Sequence, residues 1–505
     1  MTELTLLRRS IVWLRWFWRS LTSMRTALIL LFFLALASVP GSLFPQRGTS
    51  PLKVTQYLRD HPKAGQILDW LHMFDVFASP WFAAIYLLLF ISLAGCVIPR
   101  SVEHARDMAR KPPIAPRNLS RLPAYTSWKS SVDPVQALTQ SAKLLSGKRW
   151  RVRVTNEWVS AEKGYLRETG NLVFHMSLLI ILLAVGLGGS MGFKGTVLVR
   201  EGTGFADNVT QFDTFSPGRF FTPEKLSPFS FELKDFAASY QVGGDQNGAA
   251  RMFRADVALR DTPESTPRDV RIEVNHPLRI QDTTVYLVGH GYSPTFTVRD
   301  RGGNVVWQDS AIFLPQDGNF TSTGVIKVPD TVPQLGFQGF FLPTASADAT
   351  FGPRSEFPAA GRPKVFLLAW TGDLGLDSGV PQSVYRLETK KMKRVGTIAI
   401  KPGQGWRLPN GQGTITFDGF KEWASFSITR DPGKGWALTS SILAIIGLSL
   451  SLLIPRRRIW LRVSAEPDGT NLYEVAGLSK TEAPGLLDEV GAYAQEFKTL
   501  APEVN

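Results

Sequence analysis

A histidine at position 175 lies within the otherwise apolar stretch "GYLRETGNLVFHMSLLIILLAVGLGG", residues 164–189. An imidazole surrounded by hydrocarbon needs a polar partner, because an unsatisfied polar group there costs free energy. His175 has three open interpretations. It ligates a metal or a cofactor, it hydrogen-bonds across a helix bundle, or it reaches back to the membrane interface. The last is allowed because the ring is four residues beyond Asn171, about 6 Å along a helix.

Few other residues have the types and spacing that chemistry requires. The chain contains one cysteine, Cys96, which excludes an internal disulfide, a CxxC redox pair, a zinc finger and a CxxCH haem-attachment site. Cys96 is interpreted as a small apolar residue. The long segment 193–435 contains no Ser/His/Asp elbow, paired catalytic carboxylate motif or P-loop. Nothing in it predicts an independent enzyme.

The other histidines are predicted to have loop, surface or structural roles. His276 and His290 flank two predicted strands. His61 and His72 belong to a predicted outer loop, and His104 follows an apolar run within a basic segment, where solvation is expected.

The chain contains four apolar runs. Each has nearly the ~20 residues that a membrane-spanning helix needs. They predict a multi-pass membrane protein with four transmembrane helices. The predicted segments are an interfacial N-terminal segment (1–25), a first span (26–45), an outer loop (46–80), a second span (81–98), a cytoplasmic segment (99–169), a third span (170–191), an extracytoplasmic domain (192–435), a fourth span (436–455) and a cytoplasmic tail (456–505).

The distribution of charge predicts how the chain is oriented in the membrane. The 505-residue chain has 56 Lys+Arg against 43 Asp+Glu, a formal net charge of +13. The basic residues flank the apolar runs, which predicts an anionic lipid surface rather than nucleic acid as partner. Arginines before the first run, in 100–170 and directly after the fourth run predict that these regions face the cytoplasm. The sequence therefore predicts a cell-membrane protein with both termini cytoplasmic.

The N-terminal region has alternatives. Residues 5–20 mix arginines with Trp13, Trp16 and Trp18, which predicts an interfacial amphipathic helix. A disordered basic arm is the other interpretation. The small residues "ALAS" at 35–38 resemble a signal-peptide cleavage site, but cleavage would leave three spans and place the basic segment 100–170 outside.

Short alternating runs predict that the segment between the third and fourth spans is a β-rich, sandwich-like domain. The runs are "GTVLVREG", "FSFELKDF", "MFRADVALRD", "VRIEVNHPLRI", "TTVYLVGHGY", "FTVRD" and "GTITFDGF". The cytoplasmic pieces predict a helix at 134–147, a hairpin near 150–164, a second hairpin after the fourth span and a final helix. Because single hairpins are marginal, we expect these pieces to form one small α+β domain that is split in sequence.

Four stretches together resemble the ResB (CcsB) family of system II cytochrome c biogenesis proteins. "SMRTALILLFFLALASVPGSLFPQ" is similar to that family's opening span. "VSAEKGYLRETGNLVFHMSLL" matches it before and within the third span, including the spacing of Gly170 and His175. "VNHPLRIQDTTVYLVGHGY" resembles an outer segment, and "SITRDPGKGWALTSSILAIIGLSLSLLIPRRRIWL" resembles the last span with its arginines.

This resemblance implies a function. Family members pair with a ResC/CcsA-like membrane protein, bind and export haem, and present it for covalent attachment to apocytochrome c. The resemblance implies that His175 is an axial ligand of the haem iron, with the haem shared with the partner. No catalytic residue is expected, and the chain is at most a non-autonomous subunit of a holocytochrome c synthase.

Two other functions are alternatives. A non-catalytic membrane scaffold, whose outer β domain binds an envelope partner without haem, would fit the same spans. A transporter formed by this chain alone is disfavoured, because four spans without inverted repeats provide little pathway.

Overall fold

The structure of the chain is a computed structural model that describes residues 2–48, 50–347, 352–376, 383–479 and 485–504. These residues divide into two compact units. Met1–Gly186 and Gly433–Asn505 form the first, called the helical unit. Leu187–Pro432 form the second, called the β unit.

The described residues contain nine α-helices, of which four are long and apolar enough to cross a membrane. The prediction of four apolar helices is confirmed, and the four are α2, α5, α7 and α8 in the following list. The helices are α1 Thr2–Leu21, α2 Met24–Leu43, α3 Pro51–Asp60, α4 Pro62–Trp70, α5 Pro80–Ala109, α6 Pro134–Gly147, α7 Leu166–Met191, α8 Lys434–Leu453 and α9 Leu486–Leu500.

Helix α5 is longer than the predicted second span, which ended at Ile98. It continues through Pro99 to Ala109. The polar extension "RSVEHARDMA" is rich in residues of high helix propensity, so the hydrogen bond lost at Pro99 does not end the helix.

Two regions around the first span are also helical. Helix α1 includes the predicted amphipathic segment, and its exposed side chains include Trp13 and Trp16. The predicted outer loop contains α3 and α4, and Arg47 anchors it through ion pairs with Asp69, at 2.6 Å, and with Asp75.

The β-rich character predicted for the long intervening segment is confirmed. The strands of the whole chain are β1 Ala124–Ser130, β2 Arg151–Val154, β3 Trp158–Lys163, β4 Phe193–Arg200, β5 Gly204–Ala206, β6 Thr214–Pro217, β7 Ser230–Tyr240, β8 Ala250–Arg260, β9 Arg268–Glu273, β10 Leu278–Ile280, β11 Thr283–Arg299, β12 Val305–Ser310, β13 Leu314–Pro315, β14 Ser322–Val328, β15 Leu335–Leu342, β16 Lys364–Gly372, β17 Met392–Ile400, β18 Gln404–Arg407, β19 Thr414–Arg430, β20 Arg457–Ala465 and β21 Asn471–Ser479.

One antiparallel sheet of the helical unit combines strands that precede α7 with strands that follow α8, in the order β1-β21-β20-β3-β2. Strand β20, after the fourth apolar helix, pairs with β3, before the third, in a register that places Ile459 opposite Ala161. Helices α6 and α9 contribute side chains to its core, including Leu138 and Phe497. This sheet therefore connects the start of α7 to the end of α8.

The β unit contains three sheets. Its longest strands, β11 and β19, pair along their whole length with register shifts at two bulges. One end of this pair, with Val285 and Phe426, packs in a core with strands β7, β8 and β9. The other end, with Phe296 and Phe417, packs in a second core with strands β14 to β17.

Several strand predictions need correction. The runs "TTVYLVGHGY" and "FTVRD" belong to one strand, β11, because bulges let the chain bend without ending it. Strands β14 to β17 were not predicted. In "LGFQGFFL" of β15, most positions are buried on both faces, so the polar/apolar alternation that marks a half-buried strand is absent.

Candidate functional site

The imidazole of His175 is half-buried in α7 and hydrogen-bonded within its own helix. Its Nδ1 lies 2.8 Å from the carbonyl oxygen of Asn171, one turn earlier. A carbonyl oxygen only accepts, so Nδ1 carries the proton of this contact, and in the neutral ring Nε2 then keeps its lone pair. The ring also meets Phe174 edge to face, with centroids 5.1 Å apart. The ring of His175 is therefore held in one orientation, with Nδ1 engaged by the backbone of its own helix.

A close helix crossing fixes α7 next to this ring. At Gly170, a Cβ atom would lie 2.6 Å from the carbonyl oxygen of Gly447 in α8. At Gly447, a Cβ atom would lie 2.7 Å from the backbone nitrogen of Phe174. Only glycine permits this approach of two backbones, as in other close membrane-helix contacts. The Gly170–His175 spacing thus sets the crossing point about one turn before the histidine.

Helix α5 contacts α7 at two further positions along its length. The hydroxyl of Tyr86 donates to the carbonyl of Leu182. Nearer the start of α7, His104 lies 3.0 Å from Thr169 Oγ1 and 3.5 Å from a carboxylate oxygen of Glu168. The expectation that His104 is solvated was wrong, because the extension of α5 carries the ring against α7.

A buried ion-pair network lies where α7 begins and α8 ends. Glu162 is 1% exposed and accepts from Arg456 at 2.5 Å and from Arg458 at 3.0 Å. Tyr165 also donates to Glu162, and Arg456 pairs in addition with Glu168. Burial alone would raise the pKa of Glu162, but the Tyr165 hydroxyl and the two guanidinium groups outweigh it and hold that pKa below its ordinary value.

Gly164 supports the same junction. Its φ of +93° lies in the left-handed region, and a side chain there would collide with the carbonyl of Pro455. The segment "SAEKGYLRETG" joins β3 to α7, and the contacts of its residues hold this junction together. Sequence reasoning missed Glu162 and Arg456 as partners. The available signal was a carboxylate in a half-buried strand, but Arg456 reads from sequence simply as a cytoplasmic arginine.

The remaining histidines lie apart from α7 in the sequence and differ in environment. His61, His72 and His276 are exposed. His290 is 6% exposed, packs against Phe236, Phe253 and Phe320, and lies 2.8 Å from the Tyr240 hydroxyl. Burial lowers the pKa of His290 to about 4, so it is neutral within this core. Across the described ranges, no cluster of three or more His, Cys, Asp or Glu side chains offers a metal site.

The chain matches the model of the ResB-like family over residues 24–491. Three similar proteins from Synechococcus are each named cytochrome c biogenesis protein CcsB. The protein of strain RCC307 is 25% identical over 494 residues, 95% of this chain and 96% of that protein. That of strain CC9605 is 26% identical over 499 residues, with 93% and 95% covered. That of strain JA-2-3B'a(2-13) is 26% identical over 330 residues, with 61% and 66% covered.

Proposed function

The chain belongs to the ResB-like family, and on this basis we propose that it is a haem-handling membrane subunit of cytochrome c biogenesis. With a ResC/CcsA-like partner, it binds and exports haem and presents it for covalent attachment to apocytochrome c. Support for the pathway comes from the CcsB relatives, two of which align with more than nine-tenths of this chain.

The observation that carries the haem assignment is the orientation of His175. Axial coordination of haem iron needs a neutral imidazole with a free lone pair. The hydrogen bond from Nδ1 to Asn171 leaves Nε2 as the ring nitrogen available for coordination on an apolar helix. Phe174 beside the ring adds an apolar surface suited to a porphyrin. One histidine supplies one axial position, which fits a haem shared with the partner.

The same proposal places the β unit outside the cytoplasm and one sheet of the helical unit in the cytoplasm. The arginines before α2 and after α8 favour cytoplasmic termini, so the β unit is extracytoplasmic. We assign to it a sandwich-like organisation, supported by the two cores along β11 and β19. The sheet of β1, β2, β3, β20 and β21, with α6 and α9, is the cytoplasmic α+β domain, split in sequence by the insertion of the β unit.

In this arrangement the chain holds and orients the cargo, and no residue of it is assigned a bond-making role. His175 donates its Nε2 lone pair to the iron of the haem cargo. The Gly170–Gly447 crossing and the Tyr86 contact keep the helix that carries the ring in place. Attachment to the apocytochrome needs the partner, so the chain is at most the non-autonomous subunit of a holocytochrome c synthase.

The test is a visible spectrum of the complex, purified with its ResC/CcsA-like partner. We expect a Soret band that is lost in His175→Ala and retained in the control His276→Ala, which changes an exposed histidine. A colourless wild-type complex would instead support a scaffold that binds an envelope partner without haem. A band unaffected by His175→Ala would refute the ligand assignment.

A further inference from the structure

A cationic cavity of about 510 Å³ lies in the helical unit where α7 begins and α8 ends. We propose that this cavity binds the head group of an anionic phospholipid. The proposal does not depend on haem binding, because it rests on the charges and walls of a different site.

The charge of the lining favours an oxyanion. Four cationic side chains line the cavity, Arg149, Arg151, Lys163 and Arg457, against two carboxylates. Both carboxylates are already occupied. Glu162 pairs with Arg456 and Arg458, which are not among the lining residues, and Glu489 pairs with Arg457.

Three of the cations keep their charge uncompensated. Among the residues that the structure describes, Arg149, Arg151 and Lys163 have no carboxylate partner, and the side chains of Arg151 and Lys163 contact backbone carbonyls and rings. Arg151 donates to the carbonyl of Arg110 at 2.5 Å and stacks over Tyr165, 4.4 Å from the ring centroid. Lys163 lies 3.4 Å from the carbonyl of Lys148. These contacts orient Arg151 and Lys163 without neutralising them.

Arg457 contributes less to the open charge of the cavity. Its Nη1 pairs with Glu489, and its Nε is buried and has no hydrogen-bond partner among the described residues. Guanidinium groups bind phosphate oxygens through paired donors, so Arg149 and Arg151 are the groups suited to hold a phosphate.

The apolar wall identifies a lipid rather than a free anion as the occupant. Leu166, Ile454 and Pro455 line one side of the cavity at the very ends of two apolar helices. The preceding residues of α8, Leu452 and Leu453, are 74% and 79% exposed. A phosphate held by the arginines would therefore place acyl chains along this exposed end of α8. Basic pockets at the ends of spanning helices bind anionic lipid head groups by this geometry.

The test is native mass spectrometry of the full chain in detergent, titrated separately with phosphatidylglycerol and phosphatidylcholine. We expect preferential binding of phosphatidylglycerol. The variant Arg149→Gln/Arg151→Gln should weaken phosphatidylglycerol binding roughly 30-fold, because each of the two cations contributes about fivefold to the affinity. The matched control Arg121→Gln/Arg153→Gln removes the same charge outside the cavity and should leave binding within about twofold of the wild type.

The single variant Arg149→Gln controls for misfolding, because the side chain of Arg149 is exposed. It should weaken phosphatidylglycerol binding about fivefold. Equal affinities for the two lipids, or equal losses in cavity and control variants, would overturn the proposal. Inorganic phosphate that displaces phosphatidylglycerol at similar concentrations would identify a free-anion site and overturn the lipid assignment. Haemin that binds this cavity more tightly than phosphatidylglycerol would overturn it as well. Loss of the Soret band in His175→Ala tests the other site separately.

Discussion

Nδ1 of His175 lies 2.8 Å from the carbonyl oxygen of Asn171, and of the two neutral tautomers this contact selects the one with its proton on Nδ1. Replacing His175 with Ala removes the ligand but leaves an apolar helix that still inserts. The variant should accumulate in the membrane while holocytochrome c maturation falls more than roughly tenfold, since losing an outer-shell partner alone costs about 10- to 100-fold in metal affinity. Added imidazole should partly restore maturation.

The control for this experiment is His276→Ala, which should mature cytochromes c normally. Immunoblots of membranes report accumulation, and haem staining of periplasmic or lumenal cytochromes reports maturation. Normal maturation in an accumulated His175→Ala protein would contradict the ligand assignment. Quantifying the imidazole rescue separates lost coordination from lost packing, because imidazole restores only the former.

The helix crossing at Gly170 predicts a stability effect. A methyl group there would meet the Gly447 carbonyl at 2.6 Å and the Cβ of Leu450 at 2.7 Å. Gly170→Ala should therefore destabilise the protein by about 1–3 kcal/mol through overpacking. The matched control is Gly189→Ala in the same helix, where a Cβ atom would meet nothing within 4 Å. Thermal unfolding midpoints of the purified proteins report the difference, and equal midpoints would argue against this crossing.

The buried carboxylate of Glu162 predicts a second, larger effect. Glu162→Gln leaves Arg456 and Arg458 without their shared buried partner, and removing one member of a buried pair costs about 3–5 kcal/mol. The control Glu496→Gln breaks an exposed pair with Lys148 and should cost at most about 1 kcal/mol. Denaturant unfolding of the two variants gives the comparison. A loss for Glu162→Gln no larger than that of the control would show that the network contributes little.

The pH dependence of the same residue has a definite sign. The pKa of Glu162 in the fold is below its ordinary value of 4.5, so the fold binds this proton less tightly than the unfolded chain. The stability that it contributes is present above pH 4.5 and is lost as pH falls through the lower, folded pKa. Wild-type stability should thus decline in acid more steeply than that of Glu162→Gln.

Glu422 in the β unit predicts the opposite sign. Burial, then the nearby carboxylates of Glu201 and Asp235, raise its pKa from 4.5 to about 8. The fold therefore retains this proton longer than the unfolded chain, and stability falls as pH rises from 4.5 to about 8. Glu422→Gln, which never ionises, should raise the thermal midpoint of the β-sheet circular dichroism signal at pH 8 and change it little at pH 5.

Its control is Glu264→Gln, which replaces an exposed carboxylate of the same unit and should leave both midpoints unchanged. If Glu422→Gln lowered the midpoint at pH 8, the charged carboxylate would have a stabilising partner in the fold, contrary to this prediction.

The proposed orientation predicts which surfaces a membrane-impermeant maleimide reaches. In a Cys96→Ser background, Asp245→Cys in the β unit should be labelled on intact cells. Glu496→Cys in α9 should be labelled only after permeabilisation. Asp245 is exposed and the side chain of Glu496 is 40% exposed, so labelling reports the side of the membrane rather than burial. Labelling of Glu496→Cys on intact cells would overturn the orientation.

The sequence by itself determined the features that depend on local composition and period. Four apolar runs of near-spanning length become α2, α5, α7 and α8, since backbone groups in hydrocarbon must bond within their own helix. The position of His175 within one of them follows from the same count. Its hydrogen bond to Asn171 is also local, since four residues make about one helical turn. The family resemblance read from four motifs is confirmed by the match over residues 24–491.

Only the tertiary structure decided which distant segments meet. Glu162 and Arg456 are 294 positions apart, yet they form a buried pair. Strands β3 and β20 pair although the whole β unit separates them in the sequence. Gly170 faces Gly447 in the same way. Periodicity reports which face of a segment is apolar, but it does not report which other face fits against it. That choice depends on shape and charge complementarity between surfaces that the chain brings together only on folding, which is why the buried network beside α7 was not predicted.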